Sequence, residues 1–292
     1  MRKDPVRIAA PVGLFVVLYF VATLLFVPLF EWVVAYPAGV LVAGLFAALF
    51  ANWLGLRIFE NRHIVEVGLW LNRASADNLV FGLLGGAGAA CVALVPPLVF
   101  HAAHFAATPA ERPSWMAVVN VLLFLLPVGV LGEELLFRGY AFQHLLASIG
   151  PWATILPVGI LFGVMHGGNP NATRLGIANT AGFGILFGYA YLRSRDLWLP
   201  IGLHYGWNFT LPLFGASLSG LRMKITGYEL SWTAGRVWSG GGYGPEGGVL
   251  ASAALVALWV FLWKAPIRRQ FSPLTDPPVE SAACEQPPRL SS

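Results

Sequence analysis

Three short segments carry polar residues whose types and spacing could do chemistry in an otherwise apolar chain. Glu133, Glu134 and Arg138 lie in the segment GEELLFRGY, directly after the uncharged run Met116–Leu131. On a helix, Glu134 and Arg138 share a face with the acid before the base, the order that favours an ion pair. Glu133 is rotated by about 100° from that face and suits a general base. The spacing thus predicts one structural and one reactive glutamate; the alternative is that both cap the cytoplasmic end of a helix.

The second and third segments each bring polar groups into another apolar stretch. His166 ends GILFGVMH, with Phe162 one helical turn before it, and His204 and Asn208 share a helix face in LWLPIGLHYGWNF. A lone histidine can serve packing, and a polar residue in a span can join helices by hydrogen bonds. Three separate spans that offer polar groups to one interior are, however, the arrangement that a buried site needs.

The composition predicts that these segments lie in a membrane. The 292-residue chain is 57% hydrophobic and 11% charged, with a mean hydropathy of +0.69, whereas soluble domains have about 25% charged residues. Long apolar stretches recur along it, which favours a polytopic all-α bundle over a barrel of alternating strands. The two cysteines form neither a disulfide framework nor a metal-binding spacing. The basic residues flank apolar spans instead of forming a nucleic-acid patch.

We predict eight spans and two regions outside them. The spans are Ile8–Phe30, Tyr36–Leu54, Leu79–Phe100, Trp115–Leu131, Trp152–His166, Gly176–Leu192, Leu197–Phe214 and Val249–Trp263. Residues 1–264 form the membrane domain, and residues 116–214 form its catalytic core. The glycine-rich stretch Gly215–Gly248 is expected to be a flexible external connection, and residues 265–292 a disordered tail.

The distribution of lysine and arginine predicts the orientation. With the N-terminus in the cytoplasm, thirteen of the 18 Lys and Arg residues fall on the cytoplasmic side. The other five are Arg112, Arg174, Arg222, Lys224 and Arg236. Cytoplasmic loops of membrane proteins carry an excess of basic residues. We therefore expect a multi-pass protein of the cell (inner) membrane with both termini in the cytoplasm.

In this order and on separate spans, the three segments resemble the motifs of a known family. EELLFR, FGVMH and HYGWN match E-E-x-x-x-R, F-x-x-x-H and H-x-x-x-N of the CPBP family, also called the ABI family or type II CAAX prenyl endopeptidases. The segment YLRSRDLWLPIGLH is also similar to the family's approach to its last motif. The resemblance covers about residues 118–213, and the N-terminal spans, the external connection and the tail lie outside it.

The resemblance implies a fold and a set of roles. The family fold is a helical bundle around a conical cavity that opens to the membrane and the cytoplasm. By motif position, Glu133 and His166 would activate a water molecule, and His204 and Asn208 would donate hydrogen bonds to the oxyanion. Glu134 and Arg138 would form the supporting ion pair, and Phe162 would support the site. We expect no cofactor; the alternative is a zinc ion held by Glu133, His166 and His204.

The function expected from these residues is intramembrane proteolysis. The substrate would be a membrane-embedded or lipidated peptide or protein, because such molecules already partition into lipid. Besides the zinc-dependent version of this protease, a non-catalytic scaffold or immunity-type member of the same family is an alternative. A transporter would show paired repeats with broken helices, and the sequence has none. Membrane lipid is an expected partner, nucleic acid is not, and the sequence leaves the oligomeric state open.

Overall fold

The computed structural model describes residues 5–34, 36–109 and 113–276 and is predominantly helical. The helices are α1 (Pro5–Val34), α2 (Ala38–Gly55), α3 (Arg73–Val99), α4 (Trp115–Asn120), α5 (Leu126–Arg138), α6 (Tyr140–Ile149), α7 (Pro151–Met165), α8 (Arg174–Ser194), α9 (Trp198–Leu213), α10 (Arg236–Ser239) and α11 (Val249–Lys264). Single π-helical turns extend α2 over Leu56–Glu60 and join α4 to α5 over Val121–Leu125. The predicted polytopic helical bundle is confirmed.

Each of the eight predicted spans corresponds to a helix. Within the described residues, six helical segments are long and apolar enough to cross a membrane, including the run Trp115–Ile149 that contains the first motif. The helices Trp198–Leu213 and Val249–Lys264 have 16 residues each. At 1.5 Å per residue, 16 residues reach about 24 Å, which is less than the bilayer core of about 30 Å. These two helices depend on their neighbours for their position.

The long helices define two ends of the bundle. We call the end that carries Pro5 and Lys264 the terminal end. The opposite end, which we call the loop end, carries the turn between α1 and α2 and the connections after α3, α7 and α9. The α7–α8 turn and the whole of residues 214–248 therefore lie at the loop end. We use the two ends to describe where the cavity residues lie and how the protein is oriented in the membrane.

Helices α3 and α9 pack with their backbones in direct contact. A Cβ atom added at Gly86 would lie 2.0 Å from the carbonyl oxygen of Leu203, and one added at Gly206 would lie 2.4 Å from that of Leu83. Small residues permit such close approach between membrane helices. The glycine pairs therefore set the depth and rotation of α9, the helix that carries the third motif.

The connection after α9 is folded onto the bundle, which corrects the prediction of a flexible segment. Strand β2 (Tyr228–Trp232) pairs antiparallel with β1 (Ala103–Ala107), so a small sheet is added to the all-α bundle. Tyr243, Leu218 and Ile225 are buried. The many glycines serve tight turns and close contacts here, and a composition-based estimate of flexibility does not distinguish these uses from disorder.

The first part of the predicted disordered tail is also ordered. The amide N–H of Gln270 donates to the carbonyl oxygen of Ser194, and Ser272 is fully buried. The side chain of Gln270 donates to the carboxylate of Asp196, with a distance of 2.5 Å between the two atoms. Residues 265–276 thus bind the α8–α9 turn through polar contacts that composition does not reveal. Residues 277–292 lie outside the described residues.

Candidate active site

The structure brings the three sequence motifs together around one cavity. The first lies on α5, the second at the end of α7 and the third on α9. A cavity of about 400 Å³ is lined by residues of all three segments, including Glu133, Phe162, His166, His204 and Asn208. A concave, largely apolar pocket with a few convergent polar groups is the usual form of an active site.

The predicted ion pair of the first motif is present and fully buried. Nη1 of Arg138 lies 3.3 Å from Oε1 of Glu134, and neither side chain is exposed. Arg138 also donates from Nη2 to the carbonyl oxygen of Gly184. Its guanidinium carbon lies 4.8 Å from the ring centroid of Phe162 and 5.4 Å from that of Phe187. Aromatic faces and a carboxylate together compensate the burial of this cation.

Glu134 also contacts the histidine of the third motif and determines which of its nitrogens carries hydrogen. Nδ1 of His204 lies 2.9 Å from Oε1 of Glu134. An ionised carboxylate only accepts hydrogen bonds, so Nδ1 of His204 is the donor. The ring stacks on Phe187 with centroids 5.0 Å apart, which fixes its plane. The other nitrogen, Nε2, therefore points into the cavity.

Glu133 lies between the two histidines. Its Oε2 atom is 4.0 Å from Nε2 of His166 and 3.8 Å from Nε2 of His204. These separations are too long for direct hydrogen bonds and short enough for one water molecule to contact both groups. Among the described residues, Oε2 of Glu133 has no hydrogen-bond partner. The Glu133 side chain is 38% exposed, whereas Glu134 is fully buried, so the adjacent acids occupy different environments.

His166 is oriented by the backbone of its own helix. Its Nδ1 lies 2.8 Å from the carbonyl oxygen of Phe162. A carbonyl oxygen is only an acceptor, so Nδ1 carries the hydrogen and Nε2 of the neutral ring faces Glu133 with a lone pair. The ring of Phe162 packs against His166 with centroids 4.6 Å apart. Phe162 thus contacts both His166 and the buried Arg138.

Comparison with known proteins matches the part of the chain that contains the three motifs. Residues 113–210, about a third of the chain, match the model of the family described as type II CAAX prenyl endopeptidase Rce1-like. The resemblance predicted from the motifs is confirmed. The chain is also 26% identical over 167 residues to "Uncharacterized protein YyaK" of Bacillus subtilis (strain 168). That similarity spans 56% of this chain and 56% of the relative.

Within the Rce1-like segment, the donor atoms of the alternative zinc set are further apart than a zinc ion requires. Tetrahedral zinc with ligand distances of about 2.0–2.2 Å holds its ligand atoms about 3.4 Å apart. Oε2 of Glu133 lies 3.8 and 4.0 Å from the two histidine nitrogens. Among the described residues, no group of three His, Cys, Asp or Glu side chains has metal-holding geometry. A zinc site would therefore need these side chains to move closer together.

Sequence reasoning missed one acid of the cavity, which lies outside the Rce1-like segment. Glu246 lines the cavity and is only 7% exposed. Its Oε1 accepts a hydrogen bond from the indole N–H of Trp207, at 3.0 Å, and its Oε2 accepts one from the hydroxyl of Ser219, at 2.9 Å. Burial raises the pKa of the Glu246 carboxyl above its ordinary value, while these donors act in the opposite direction. Its one sequence signal is a lone acid in the glycine-rich stretch GGGYGPEGG.

Proposed function

We propose that this protein is an intramembrane endopeptidase of the CAAX prenyl protease type that hydrolyses a peptide bond with a water molecule activated by Glu133 and His166. The observation that carries the proposal is the convergence on one carboxylate oxygen, Oε2 of Glu133, of Nε2 atoms from His166 and His204. Each histidine is held through its opposite nitrogen. An activated water and a donor for the oxyanion are the two requirements of amide hydrolysis.

In the proposed reaction, Glu133 takes a proton from water while the water oxygen attacks the carbonyl carbon. Nε2 of neutral His166 accepts the other hydrogen of the water and orients it. When the tetrahedral intermediate collapses, the carbon–nitrogen bond breaks and the proton held by Glu133 passes to the leaving amine nitrogen. Water is thereby divided between the new carboxyl group and the new amine, and the glutamate returns to its starting state.

Charge balance supports His204 as a donor to the oxyanion. Because its Nδ1 donates to Glu134, Nε2 carries a hydrogen only when the ring is an imidazolium ion. A cluster of Glu133, Glu134, Arg138 and protonated His204 has no net charge, which limits the cost of burying it. Asn208 lies one helical turn further along α9 and lines the same cavity. Its side-chain amide is the second proposed donor.

The proposed substrate is a peptide or protein that is lipidated or embedded in the membrane. The cavity lies among helices that are apolar enough to cross a membrane, so substrates that partition into lipid reach it without crossing water. We propose that the protein lies in the cell membrane with membrane lipid as its surroundings, and that the reaction needs no metal.

Cleavage of fluorescent peptides by the purified protein in lipid tests the proposal. A panel of lipidated and unmodified peptides is incubated with wild type, Glu133→Gln and Glu66→Gln, each with and without a strong chelator. Glu66 belongs to a partly exposed ion pair away from the cavity and provides the matched control. We expect Glu133→Gln alone to abolish cleavage, and Asn208→Ala to lower kcat by about 10²–10³, as expected for the loss of one oxyanion donor.

Each other outcome of this assay has a definite meaning. Loss of cleavage with the chelator that zinc restores favours the zinc-dependent version of the protease. Equal cleavage by wild type and Glu133→Gln removes Glu133 from the mechanism. Failure of wild type to cut any peptide of the panel favours the non-catalytic scaffold or immunity-type function.

A further inference from the structure

One wall of the cavity comes from the connection between α9 and α11, and Glu246 holds it in place. Residues 217–223, which we call the strap, contribute Leu218, Ser219, Leu221 and Met223 to the cavity lining. Glu246 accepts hydrogen bonds from both the backbone N–H and the hydroxyl of Ser219. One side chain thus binds the strap at Ser219.

The other oxygen of the same carboxylate binds the helix of the third motif. Trp207, whose indole donates to Glu246, directly precedes Asn208 and packs on Phe183 with ring centroids 4.6 Å apart. Trp207 is 2% exposed. Glu246 therefore connects the strap to the segment of α9 that presents Asn208 to the cavity. All three of its donors are neutral, so the role of the carboxylate is hydrogen bonding and not ion pairing.

The surrounding backbone leaves the strap little freedom beyond this tether. Asn179 donates from Nδ2 to the carbonyl oxygens of Glu246 and Gly248, at 2.8 and 3.0 Å. Gly220 has a φ of +84°, and a Cβ added there would lie 1.9 Å from the carbonyl oxygen of Pro170. Pro170 lies in the turn that follows His166. The strap thus contacts the turn that follows His166 directly and is connected to the helix of Asn208 through Glu246.

We propose that Glu246 is a positioning residue that fixes the strap as a wall of the catalytic cavity and thereby sets the size of the substrate side chain accepted beside Glu133. The inference rests on the proposed peptidase function. A structural tether far from the cavity would lower the amount of folded protein equally for every substrate. A wall residue changes the ratio between substrates, and the fraction of folded protein cancels from that ratio.

The test measures exchange and binding in protein reconstituted in lipid nanodiscs. The Glu246→Gln substitution keeps one acceptor oxygen and replaces the other with an amide nitrogen, which cannot accept a hydrogen bond. Whichever way the amide turns, it loses either the bonds from Ser219 or the bond from Trp207, and with it the connection between the strap and α9. Ser239→Ala is the matched control, because Ser239 makes its hydrogen bonds within the same connection and not to the strap. Both changes are made in the Glu133→Gln background, so that peptides are bound but not cut.

Two readouts are compared, amide hydrogen exchange of residues 217–223 and the Kd ratio for fluorescent peptides. The peptides differ in one apolar residue, from alanine through leucine to tryptophan. We expect Glu246→Gln to speed exchange in the strap and to change the Kd ratio about tenfold, the size of discrimination that a pocket gives for a methylene-scale difference. Ser239→Ala should change neither quantity.

Several results would overturn the inference. Unchanged exchange in Glu246→Gln would mean that the carboxylate does not hold the strap, and faster exchange with an unchanged Kd ratio would make it a structural tether only. Absence of binding by every peptide would remove the proposed size limit. Peptides that bind with the expected ratios but are not cut by the protein with Glu133 intact would refute the peptidase function and leave the role of Glu246 in binding supported.

Discussion

At the residue scale, two ion pairs with the same i, i+4 spacing differ in how much they contribute to stability. Arg62 and Glu66 are 2.7 Å apart, with 36% and 21% of their side chains exposed. Arg138 and Glu134 are 3.3 Å apart and fully buried. The shorter pair is solvated and contributes about 0–1 kcal/mol. In the longer pair, removal of Arg138 would leave the carboxylates of Glu133 and Glu134 without this buried cation.

Replacement of Arg138 with methionine is therefore expected to lower the free energy of unfolding by about 3–5 kcal/mol. Arg62→Met, which removes the exposed pair, should change it by about 1 kcal/mol or less. Thermal unfolding of both variants in one detergent provides the comparison. Equal unfolding temperatures for the two variants would show that burial of the Glu134–Arg138 pair does not determine its importance.

At the element scale, the position of His204 and Asn208 depends on the contact between α3 and α9. A Cβ atom at Gly86 would overlap the Leu203 carbonyl, whereas one at Gly88, two residues further along α3, has no atom within 4 Å. Gly86 therefore permits the approach of α9, and Gly88 faces open space. The two glycines provide a variant and a control in the same helix.

We expect Gly86→Ala to displace α9 and to cost about 1–3 kcal/mol through overpacking, with a several-fold loss of peptide cleavage. Gly88→Ala should leave cleavage unchanged and stabilise the helix by up to about 1 kcal/mol, because alanine is the better helix former. Unfolding temperature and cleavage rate are measured side by side. An active, stable Gly86→Ala protein would contradict the close packing of these helices.

The C-terminal segment 265–276 is held by a buried acid in the turn between α8 and α9. Oδ2 of Asp196 accepts from Asn78 at 2.7 Å and from Gln270 at 2.5 Å. Burial raises the pKa of Asp196 above its ordinary value, and hydrogen bonds offset part of that effect. A carboxyl with a raised folded-state pKa binds more protons in the folded protein than in the unfolded chain.

The stability contribution of Asp196 is thus fully present below its ordinary pKa of about 3.9 and is lost as the pH rises through the raised folded-state value. We expect the unfolding temperature of wild type, relative to that of Asp196→Asn, to fall over this pH range. Asparagine does not titrate, so the difference between the two proteins isolates the carboxyl. A pH-independent difference would mean that the pKa of Asp196 is the same in both states.

At the scale of the whole molecule, the orientation in the membrane decides which end of the bundle faces the cytoplasm. The cavity is lined by Asn169, Leu221 and Glu246, all at the loop end. The lysine and arginine distribution predicts cytoplasmic termini and so turns the loop end away from the cytoplasm. The resemblance to CAAX endopeptidases implies a cavity that opens to the cytoplasm. A cavity that opens at the loop end would satisfy the second expectation only with the termini outside the cytoplasm.

We predict that the basic residues determine the orientation, because they flank the spans of the terminal end on several connections. Single cysteines at Gly235, at the loop end, and at Leu71, at the terminal end, report it in a variant without the native Cys91 and Cys284. Both positions are exposed. A membrane-impermeant maleimide should label Gly235→Cys in intact cells and Leu71→Cys only in opened membranes. The reverse pattern would place the loop end in the cytoplasm.

The sequence by itself determined the membrane class, the approximate positions of the long apolar helices and the residues of the three motifs. Long apolar runs and the spacing of Glu134 and Arg138 are local properties, and a helix converts them directly into spans and shared faces. The prediction that Glu133 lies on a different helix face from Glu134 and Arg138 also followed from helix geometry. These features could be predicted because each depends on residues within a few turns of one another.

The tertiary structure alone decided which atoms of those residues face each other. The contacts of His204 with Glu134, of Glu246 with Trp207 and of residues 265–276 with Asp196 join residues 39 to 74 positions apart. Such contacts depend on how helices pack, and no local pattern in the chain records that packing. The glycines illustrate the same limit, because their close contacts exist only once the helices meet.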